Sequence, residues 1–324
     1  MHNFLNYISV FLSDLLNFKR VCALTRVMGK PKCLVLPDVF LDHFVYIDDF
    51  ERFFKELSGR VRVAQELRLG GNAFNFGYHM AKLGGSVTFV TKTSRFLCEL
   101  VRESVKGLEF DTNFVATNGE ASLTIAIETR VNGKHTNFNL NHLGSLERFG
   151  PLDFPKSLLN EKFDLVGVFN WTSNELGTEL ASFVYQSYDA KKILDLVDPQ
   201  IKKQKVGELL KVAQLVDVVC GNENEVCFVS SACGWSGQGD ALDAAMYLAR
   251  QGFTVALHTH EYSAEVKSSG VTKVDVQKVT PKRLTGAGDA WCAAYSYSLF
   301  QEMSAQERLS FANDYAKRYV LSQI

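Results

Sequence analysis

Five consecutive residues near the end of the chain combine the groups that handle a phosphate and a proton. They are Thr285, Gly286, Ala287, Gly288 and Asp289, and a helix-like run follows them. Two glycines around a small residue let the backbone turn closely about a ligand, and the free N–H groups at a helix start attract anions. A carboxylate there could take a proton from a hydroxyl in line with a bound phosphate. The alternative is a plain helix-start turn with Asp289 as its cap.

A second glycine-rich turn precedes another helix-like run. Gly70 and Gly71 permit a ligand to approach the backbone closely, and Asn75 offers a donor and acceptors for sugar hydroxyls. A strand-to-helix turn capped by Asn75 is the alternative. A Rossmann dinucleotide loop matches poorly, because it needs G-x-G-x-x-G after the first strand and an acid about 20 residues later.

Two acids, Asp38 and Asp42, follow the first predicted strand. In open α/β sheets ligands lie beyond the carboxyl ends of the strands, so both acids could hold hydroxyl groups there. A turn with solvated acids is the alternative.

Asn222 and Glu225 follow a later apolar strand and lie three residues apart. That spacing places them on one face of a helix start, where they could orient water bound to Mg²⁺ near phosphates. A helix N-cap with a capping-box glutamate explains the same pair without a metal.

Short apolar runs alternate with helical stretches from residue 28 onwards, which indicates an α/β fold with a parallel sheet covered on both faces. The predicted strands are Lys32–Leu36, Ser86–Thr91, Phe163–Phe169, Lys192–Val197, Val216–Cys220 and Phe253–His258. The main predicted helices are Asn75–Lys82, Glu175–Ser187, Ile201–Val212 and Asp240–Arg250. An extended run, Lys273–Val279, precedes the turn at Gly286.

Two segments interrupt this rhythm with additional β structure. They cover about residues 43–68 and 108–142. In the second, the Asn132-Gly133 turn has hairpin chemistry and joins Ala121–Val131 to His135–Leu140. A small sheet built from these segments could act as a lid over a site.

The composition excludes several classes of protein. The formal charge of −1 and the lack of a basic block beyond Lys202-Lys203 argue against a nucleic-acid partner. No stretch of about 20 apolar residues is present, so a membrane span is not expected. Seven cysteines without a C-x-x-C pair indicate reduced thiols, and we expect a cytoplasmic protein.

Residues 1–27 stand apart from the rest of the chain as an N-terminal extension. Phe4, Ile8, Phe11, Leu12 and Leu15 recur at helical spacing. The sequence leaves open whether this extension is an interface helix, a disordered leader or an artefact of an upstream start, and it does not resemble a signal peptide.

Read together, the motifs resemble the ribokinase-like (PfkB) family of carbohydrate kinases. The family shows an early strand ending in an acid, then G-G-x-x-x-N with a following L-G, then N-x-x-E, and finally T-G-A-G-D. Here these are Asp42, the Gly70 to Asn75 turn with Leu83-Gly84, Asn222 with Glu225, and residues 285–289. The resemblance covers about residues 28 to 320.

The resemblance implies a three-layer α/β/α sandwich with a mostly parallel central sheet and a small β lid. It implies transfer of a phosphoryl group from ATP or ADP, with Mg²⁺, to a hydroxyl of a sugar-type acceptor. Asp289 would be the catalytic base, and the amides of Gly286, Ala287 and Gly288 would form an anion hole. Acceptor contacts would come from Asp42, Asp38, Gly70, Gly71 and Asn75. Nucleotide contacts would come from Asn222, Glu225, Thr285, His258, Thr259 and His260, with the first two holding Mg²⁺ through water.

The chain departs from the family pattern at several places, among them Pro37, where a Gly is usual, and two segments that bear on the site. Arg283 stands where many members have an Asp that helps to shape a monovalent-cation site, so we expect weak or no K⁺ activation. The nucleotide loop T-x-G-x-x-G is replaced by His258 to Ser263, which lacks both glycines. That loss leaves the choice between ATP and ADP open. His258 and His260 alternate at a strand end, where a metal pair is a weaker interpretation than nucleotide or solvent contacts.

The acceptor stays open at this level. Acids and amides suit a pentose or hexose, and aromatic residues such as Phe44 could form a nucleoside pocket. A sugar phosphate such as ribose 1-phosphate becomes plausible if Lys92, Lys134, His135 or Arg283 reaches the site. A catalytically inactive ligand-binding or regulatory relative is the alternative function. The family resemblance also allows a homodimer formed through the lid.

Overall fold

The computed structural model describes residues 29–55, 62–131, 134–196, 206–283 and 285–324. The expectation for residues 1–27 lies outside the described residues. So do the Asn132-Gly133 turn, the end of the predicted strand at Val197 and the start of the predicted helix at Ile201.

Fifteen strands and nine α-helices occur in the described part of the chain. The strands are β1 Lys32–Leu36, β2 Phe40–Ile47, β3 Ala64–Gly70, β4 Ser86–Phe89, β5 Thr91–Lys92, β6 Phe110–Asp111, β7 Val115–Ala116, β8 Ser122–Val131, β9 Lys134–His142, β10 Leu165–Val168, β11 Lys191–Asp195, β12 Val218–Asn222, β13 Val255–His258, β14 Tyr262–Lys267 and β15 Gly270–Asp275. The helices are α1 Phe50–Lys55, α2 Asn72–Lys82, α3 Arg95–Ser104, α4 Gly177–Ser187, α5 Val206–Ala213, α6 Glu223–Ala232, α7 Ala241–Arg250, α8 Ala287–Phe300 and α9 Ala305–Val320. Two short 3₁₀ helices cover Gly144–Arg148 and Lys156–Asn160.

Nine strands form one sheet in the order β15-β14-β13-β12-β11-β10-β1-β4-β6. The pairs from β6 to β13 are parallel, and β14 and β15 extend the sheet antiparallel. Side chains alternate between the faces, so Leu34 and Leu36 of β1 pack in one core cluster while Cys33 and Val35 pack in the other. Apolar residues of α4, α5, α6 and α7 cover the first face, and those of α2, α3, α8 and α9 cover the second.

Four strands form a separate sheet in the order β3-β2-β8-β9. The middle pair, β2 with β8, is parallel, and both outer pairs are antiparallel. We call this four-stranded sheet the lid sheet. Phe44 and Ala126 of the lid sheet are buried. The face of the sheet that carries them therefore packs against the rest of the molecule.

The fold class predicted from the sequence, a three-layer α/β/α sandwich with a small extra sheet, is confirmed. The predicted hairpin is the β8–β9 pair of the lid sheet. Not all of residues 108–142 join that sheet, because β6 pairs with β4 of the large sheet and β7 pairs with β5. The extended run predicted at 273–279 overlaps β15 only in part, since this strand begins earlier, at Gly270, and ends at Asp275.

No helix in the described ranges is long and apolar enough to cross a membrane. The six cysteines that the structure describes are free thiols, and four of them are buried.

Candidate functional site

Asp289 lies in the first turn of α8, directly after a glycine turn. Gly286 has a φ of +86°, a left-handed conformation that suits glycine, and a Cβ there would overlap the Tyr319 hydroxyl. The backbone N–H groups at this helix start are those that an α-helix leaves without intrahelical partners. The turn therefore presents amide donors beside a carboxylate, as the sequence predicts for an anion-binding site.

Two asparagine side chains hold the Asp289 carboxylate. Asn72 Nδ2 donates to Oδ1 at 2.9 Å, and Asn75 Nδ2 donates to Oδ2 at 2.8 Å. The sequence analysis selected Asn75 and missed Asn72, although both lie in the glycine-rich segment. The spacing was an available signal, because residues three apart in the first turn of a helix point to the same side.

Burial raises the pKa of Asp289 to about 7, although the hydrogen bonds from Asn75 and Asn72 favour the ionised form. The negative charges of Asp38 and Glu225 add to the upward shift. A carboxyl group with a pKa near neutrality is suited to accept a proton at physiological pH.

Asp38 lies behind the site and is fully buried. Its Oδ2 accepts from the Asn72 backbone N–H at 2.7 Å, and its Oδ1 accepts from the Ala73 N–H at 2.9 Å. Asn170 Nδ2 also donates to Oδ2 at 3.3 Å. Burial raises the pKa of Asp38 to about 6, with these hydrogen bonds opposing the shift. Through these hydrogen bonds Asp38 caps the first amides of α2.

Asp42 lies on β2, where the lid sheet meets the glycine turn. A Cβ on Gly70 would overlap the Asp42 carboxylate, so the close approach requires glycine at this position. Gly71 has a φ of +97° and precedes α2. Burial raises the pKa of Asp42, while a hydrogen bond from Thr124 and the charge of Arg68 oppose the shift.

The C-terminal part of α9 closes over the glycine turn. Tyr319 donates its hydroxyl hydrogen to the Thr285 backbone oxygen at 2.7 Å. The Arg283 guanidinium stacks on the Tyr319 ring, 3.7 Å from its centroid, and Nε donates to the Tyr319 backbone oxygen at 2.9 Å. Arg283, a residue that departs from the family pattern, thus holds the end of α9, which in turn contacts the glycine turn through Tyr319.

The three residues selected from the altered nucleotide loop, which lacks both glycines, separate in the structure. His258 is packed behind the turn, because a Cβ on Gly288 would lie 3.2 Å from its Cε1, and burial lowers its pKa to about 4. Thr259 closes a tight turn by donating to the Tyr262 backbone oxygen at 2.8 Å. His260 is exposed and lies 3.2 Å from a Glu223 carboxylate oxygen.

Asn222 and Glu225 form a capping box at the start of α6. Asn222 Oδ1 accepts from the Glu225 N–H at 3.1 Å, and Glu225 Oε2 accepts from the Asn222 N–H at 2.8 Å. In the described ranges no group of three or more His, Cys, Asp or Glu residues is placed to hold a metal directly. The negative charge of Glu225 contributes to the raised pKa of Asp289, so the two carboxyl groups interact electrostatically.

A cavity of about 240 Å³ lies between the lid sheet, α2 and the end of α9. Asp42, Gly70, Asn75 and Thr285 line it, so four of the selected residues meet there. Asp289 adjoins it through Asn75. Asp38 and the pair Asn222 and Glu225 do not line it.

The structure describes the side chains of two of the four basic residues considered for acceptor binding. Lys92 is paired with Asp153 at 2.9 Å, and Arg283 lines the cavity. The side chains of Lys134 and His135 lie outside the described part of the structure.

A family model described as pfkB family carbohydrate kinase matches residues 40–323. No curated protein matches the sequence. Solved structures with a similar fold include adenosine kinase from Sinorhizobium meliloti, with 17% identity over 90% of this chain and 94% of that chain and a TM-score of 0.72. Ribokinase from Thermotoga maritima matches with 17% identity over 90% and 92% and a TM-score of 0.72. Arabidopsis thaliana ribokinase complexed with ribose and ATP matches with 18% identity over 90% and 93% and a TM-score of 0.66.

Proposed function

Because the chain belongs to the pfkB family of carbohydrate kinases, we propose that it moves the terminal phosphoryl group of a nucleotide to a hydroxyl of a sugar-type acceptor. One observation carries the proposal. The buried Asp289 carboxylate, with a pKa near 7, stands in the first turn of α8 immediately after the amides of the glycine turn.

In the proposed reaction Asp289 accepts the proton of the acceptor hydroxyl as its oxygen attacks the phosphorus. Since its pKa is about 7, a substantial fraction of the carboxyl is ionised at neutral pH and ready to do so. The backbone amides of Gly286, Ala287 and Gly288 stabilise the charge on the transferred group. Asn72 and Asn75 hold the carboxylate in place, which matters because phosphoryl transfer depends mainly on positioning and charge stabilisation.

Asp42 and Asn75 are proposed to hold the acceptor in the cavity, with the backbone of Gly70 and Gly71 close beside it. ATP or ADP is the proposed donor. Thr285 in the glycine turn is proposed to meet its phosphates, and Thr259 and His260 to contact it from the end of β13, whereas His258 lies packed behind the turn. Pentoses, hexoses, nucleosides and sugar phosphates such as ribose 1-phosphate are all acceptor candidates. The Arabidopsis structure holds ribose and ATP, and the Sinorhizobium protein is an adenosine kinase.

Asn222 and Glu225 would hold Mg²⁺ through water molecules. Mg²⁺ keeps several waters and prefers oxygen ligands, which fits side chains whose amide and carboxylate oxygens already cap a helix. When bound, the ion would neutralise charge on the donor phosphates. The proximity of the Glu225 charge to Asp289 supports this location.

Asp289→Asn tests the proposal in a matrix of ATP, ADP and GTP against pentoses, hexoses and nucleosides. We expect turnover to fall by about 100- to 10,000-fold while nucleotide binding persists, because only the proton acceptor is lost. Asp189→Asn is the control, since Asp189 is exposed and distant in sequence from every site segment. Unchanged turnover in Asp289→Asn would refute the assignment of the base.

A catalytically inactive ligand-binding relative is the second candidate, and one observation favours it. The turn closed by Thr259 lacks the glycines expected of a nucleotide loop. The same matrix separates the two functions, because an inactive relative binds an acceptor by calorimetry and turns none over with any donor.

The outer face of the lid sheet is proposed to pair with a second copy of the chain. Leu67, Ile125 and Leu140 are exposed at 63%, 41% and 59%, and strand pairing through His43 aligns them in one row facing away from Asp42. Exposed apolar patches of this kind mark interaction surfaces. We expect a dimer in sedimentation and a monomer for Ile125→Lys. A monomeric wild type at micromolar concentration would contradict this.

A further inference from the structure

The Tyr319 hydroxyl contacts the peptide that joins Thr285 to Gly286 at the start of the glycine turn. It donates to the Thr285 backbone oxygen at 2.7 Å, and a Cβ built on Gly286 would overlap it. Burial raises the pKa of Tyr319, so the hydroxyl keeps its proton at neutral pH and remains a donor. A side chain of α9 therefore holds the first peptide of the turn.

The hydrogen bond at Thr285 also determines where the Gly286 N–H points. Both groups belong to one planar peptide unit, which is trans, because the one cis peptide in the described ranges precedes Pro37. In a trans peptide the carbonyl and the N–H point in opposite directions. Since the Thr285 oxygen points towards Tyr319, the Gly286 N–H points away from it. This N–H is the first of the three amides in the proposed anion hole.

Glycine at position 286 makes this orientation easy to lose. Rotation of the peptide changes mainly ψ of Thr285 and φ of Gly286, and glycine adopts negative φ about as readily as the observed +86°. The residue type therefore does not select the orientation. The hydrogen bond from Tyr319 does, because it forms only when the Thr285 oxygen faces the hydroxyl.

Arg283 and His79 hold the Tyr319 ring in place. The Arg283 guanidinium stacks on the ring, 3.7 Å from its centroid, and Nε donates to the Tyr319 backbone oxygen at 2.9 Å. A second guanidinium nitrogen donates to the Ile324 backbone oxygen at 2.8 Å. The His79 ring meets the Tyr319 ring edge to face, with the centroids 5.0 Å apart. The hydroxyl therefore reaches Thr285 from a ring whose position is fixed by two neighbours.

We propose that Tyr319 is a positioning residue for phosphoryl transfer, which selects the peptide orientation in which the Gly286 N–H faces the transferred group, and that Arg283 holds Tyr319 in place. This inference rests on the proposed kinase function and adds to it a residue that acts through the glycine turn. Amides of an anion hole act on the charge of the transition state, so a misdirected amide lowers kcat and leaves KM nearly unchanged. Tyr319 also lines the cavity, so direct contact with the acceptor is the competing role, and losing that contact would raise KM.

Tyr319→Phe tests the hydrogen bond, because it removes the hydroxyl and keeps the ring that stacks on Arg283. The net contribution of one neutral hydrogen bond corresponds to about a three- to tenfold change in an equilibrium. We therefore expect kcat to fall by about that factor, with KM for donor and acceptor unchanged. An unchanged kcat, or a loss carried by KM alone, would overturn the inference.

Tyr247→Phe is the matched control. The Tyr247 hydroxyl also donates to a backbone oxygen, that of Cys233, at 2.8 Å, and neither residue lines the cavity. The variant loses the same kind of hydrogen bond away from the glycine turn, so its kcat should equal that of the wild type. A loss of kcat as large as that in Tyr319→Phe would point to a general effect of lowered stability and overturn the assignment.

Arg283→Ala tests the second part of the proposal. Because Arg283 acts by holding Tyr319, this variant should lower kcat by a similar factor. The double variant with Tyr319→Phe should be about as slow as the slower single variant, since both changes act through one peptide. Losses that multiply in the double variant would show that Arg283 acts independently and would overturn its role.

Crystal structures of the wild type and Tyr319→Phe separate this inference from the proposed reaction, because they require no turnover. We expect the Thr285–Gly286 peptide to be rotated, or present in two orientations, in Tyr319→Phe and to keep the observed orientation in the wild type. An unchanged peptide in the variant would overturn the inference even in an active kinase. A rotated peptide in a protein that transfers no phosphoryl group from any donor would support the role of Tyr319 in the turn and refute the kinase function.

Discussion

The hydrogen bond from Asn72 to Asp289 should set the pH dependence of the reaction. Replacing Asn72 with Ala removes a donor 2.9 Å from the carboxylate, and this donor stabilises the ionised form more than the neutral form. A hydrogen bond to a charged group contributes about 1.5–3 kcal/mol, and one pKa unit corresponds to about 1.4 kcal/mol. The pKa of Asp289 should therefore rise from about 7 by about one to two units.

The assay is kcat/KM between about pH 5 and pH 10, since this parameter reports the pKa of the free enzyme. A rise of one unit leaves only about a tenth of Asp289 ionised at pH 7, against about half in the wild type, so activity should fall about fivefold there and recover at high pH. Asn113→Ala is the control, because only the backbone N–H of this exposed residue forms a hydrogen bond to Asp111. A loss by the same factor at every pH would show that Asn72 contacts the substrate and does not tune the base.

Three further predictions concern the same turn. Asp289→Asn should raise the free energy of unfolding by up to about 4 kcal/mol above pH 7 and by little below pH 4. The reason is that burial raises the pKa of Asp289 from 3.8 to about 7 in the folded protein, so the wild type loses stability as the pH rises through that range. Denaturant titration of both proteins above pH 7 and below pH 4 checks this. Gly286→Ala should cut turnover at least about tenfold, since φ is +86° and Cβ would overlap Tyr319, whereas Gly237→Ala, with φ +75° but open space, should cost only about 1–2 kcal/mol of stability. Activity should not depend on K⁺, because the Arg283 guanidinium already supplies a positive charge beside the turn; strong activation by K⁺ over Na⁺ would contradict this.

The stability experiment should be interpreted through the difference in free energy of unfolding between Asp289→Asn and the wild type at each pH. Burial lowers the pKa of His79 to about 3 and of His258 to about 4, so these rings cost stability as pH falls below about 6.5. Their effect on total stability runs opposite to that of Asp289. It is common to both proteins and cancels in the difference.

Local sequence patterns predicted the central strands well because burial on both faces requires continuous apolar runs. Lys32–Leu36 was predicted with its observed bounds, and the helix predicted at Asp240–Arg250 begins one residue later, at Ala241. The parallel pairing of β2 with β8 was not predictable, since it joins segments about eighty residues apart. The alternation of polar and apolar residues within either strand does not show which other strand it pairs with.

The candidate site was predictable as a set of motifs and less so as a set of contacts. Asn75, Asp42 and Asp289 converge, as their motifs indicated. Asn72 was missed although its spacing of three residues from Asn75 puts both side chains on one side of the start of α2.

Asp38 shows how an acid outside the cavity can still act on the chemistry. Its carboxylate binds the first amides of α2, which fixes the helix start from which Asn72 and Asn75 reach Asp289. The arrangement has a cost, because two buried carboxyl groups with raised pKa values stand near each other. Each negative charge makes ionisation of the other harder, so a cap on α2 also helps to keep the proposed base near neutrality, where it can both accept and release a proton.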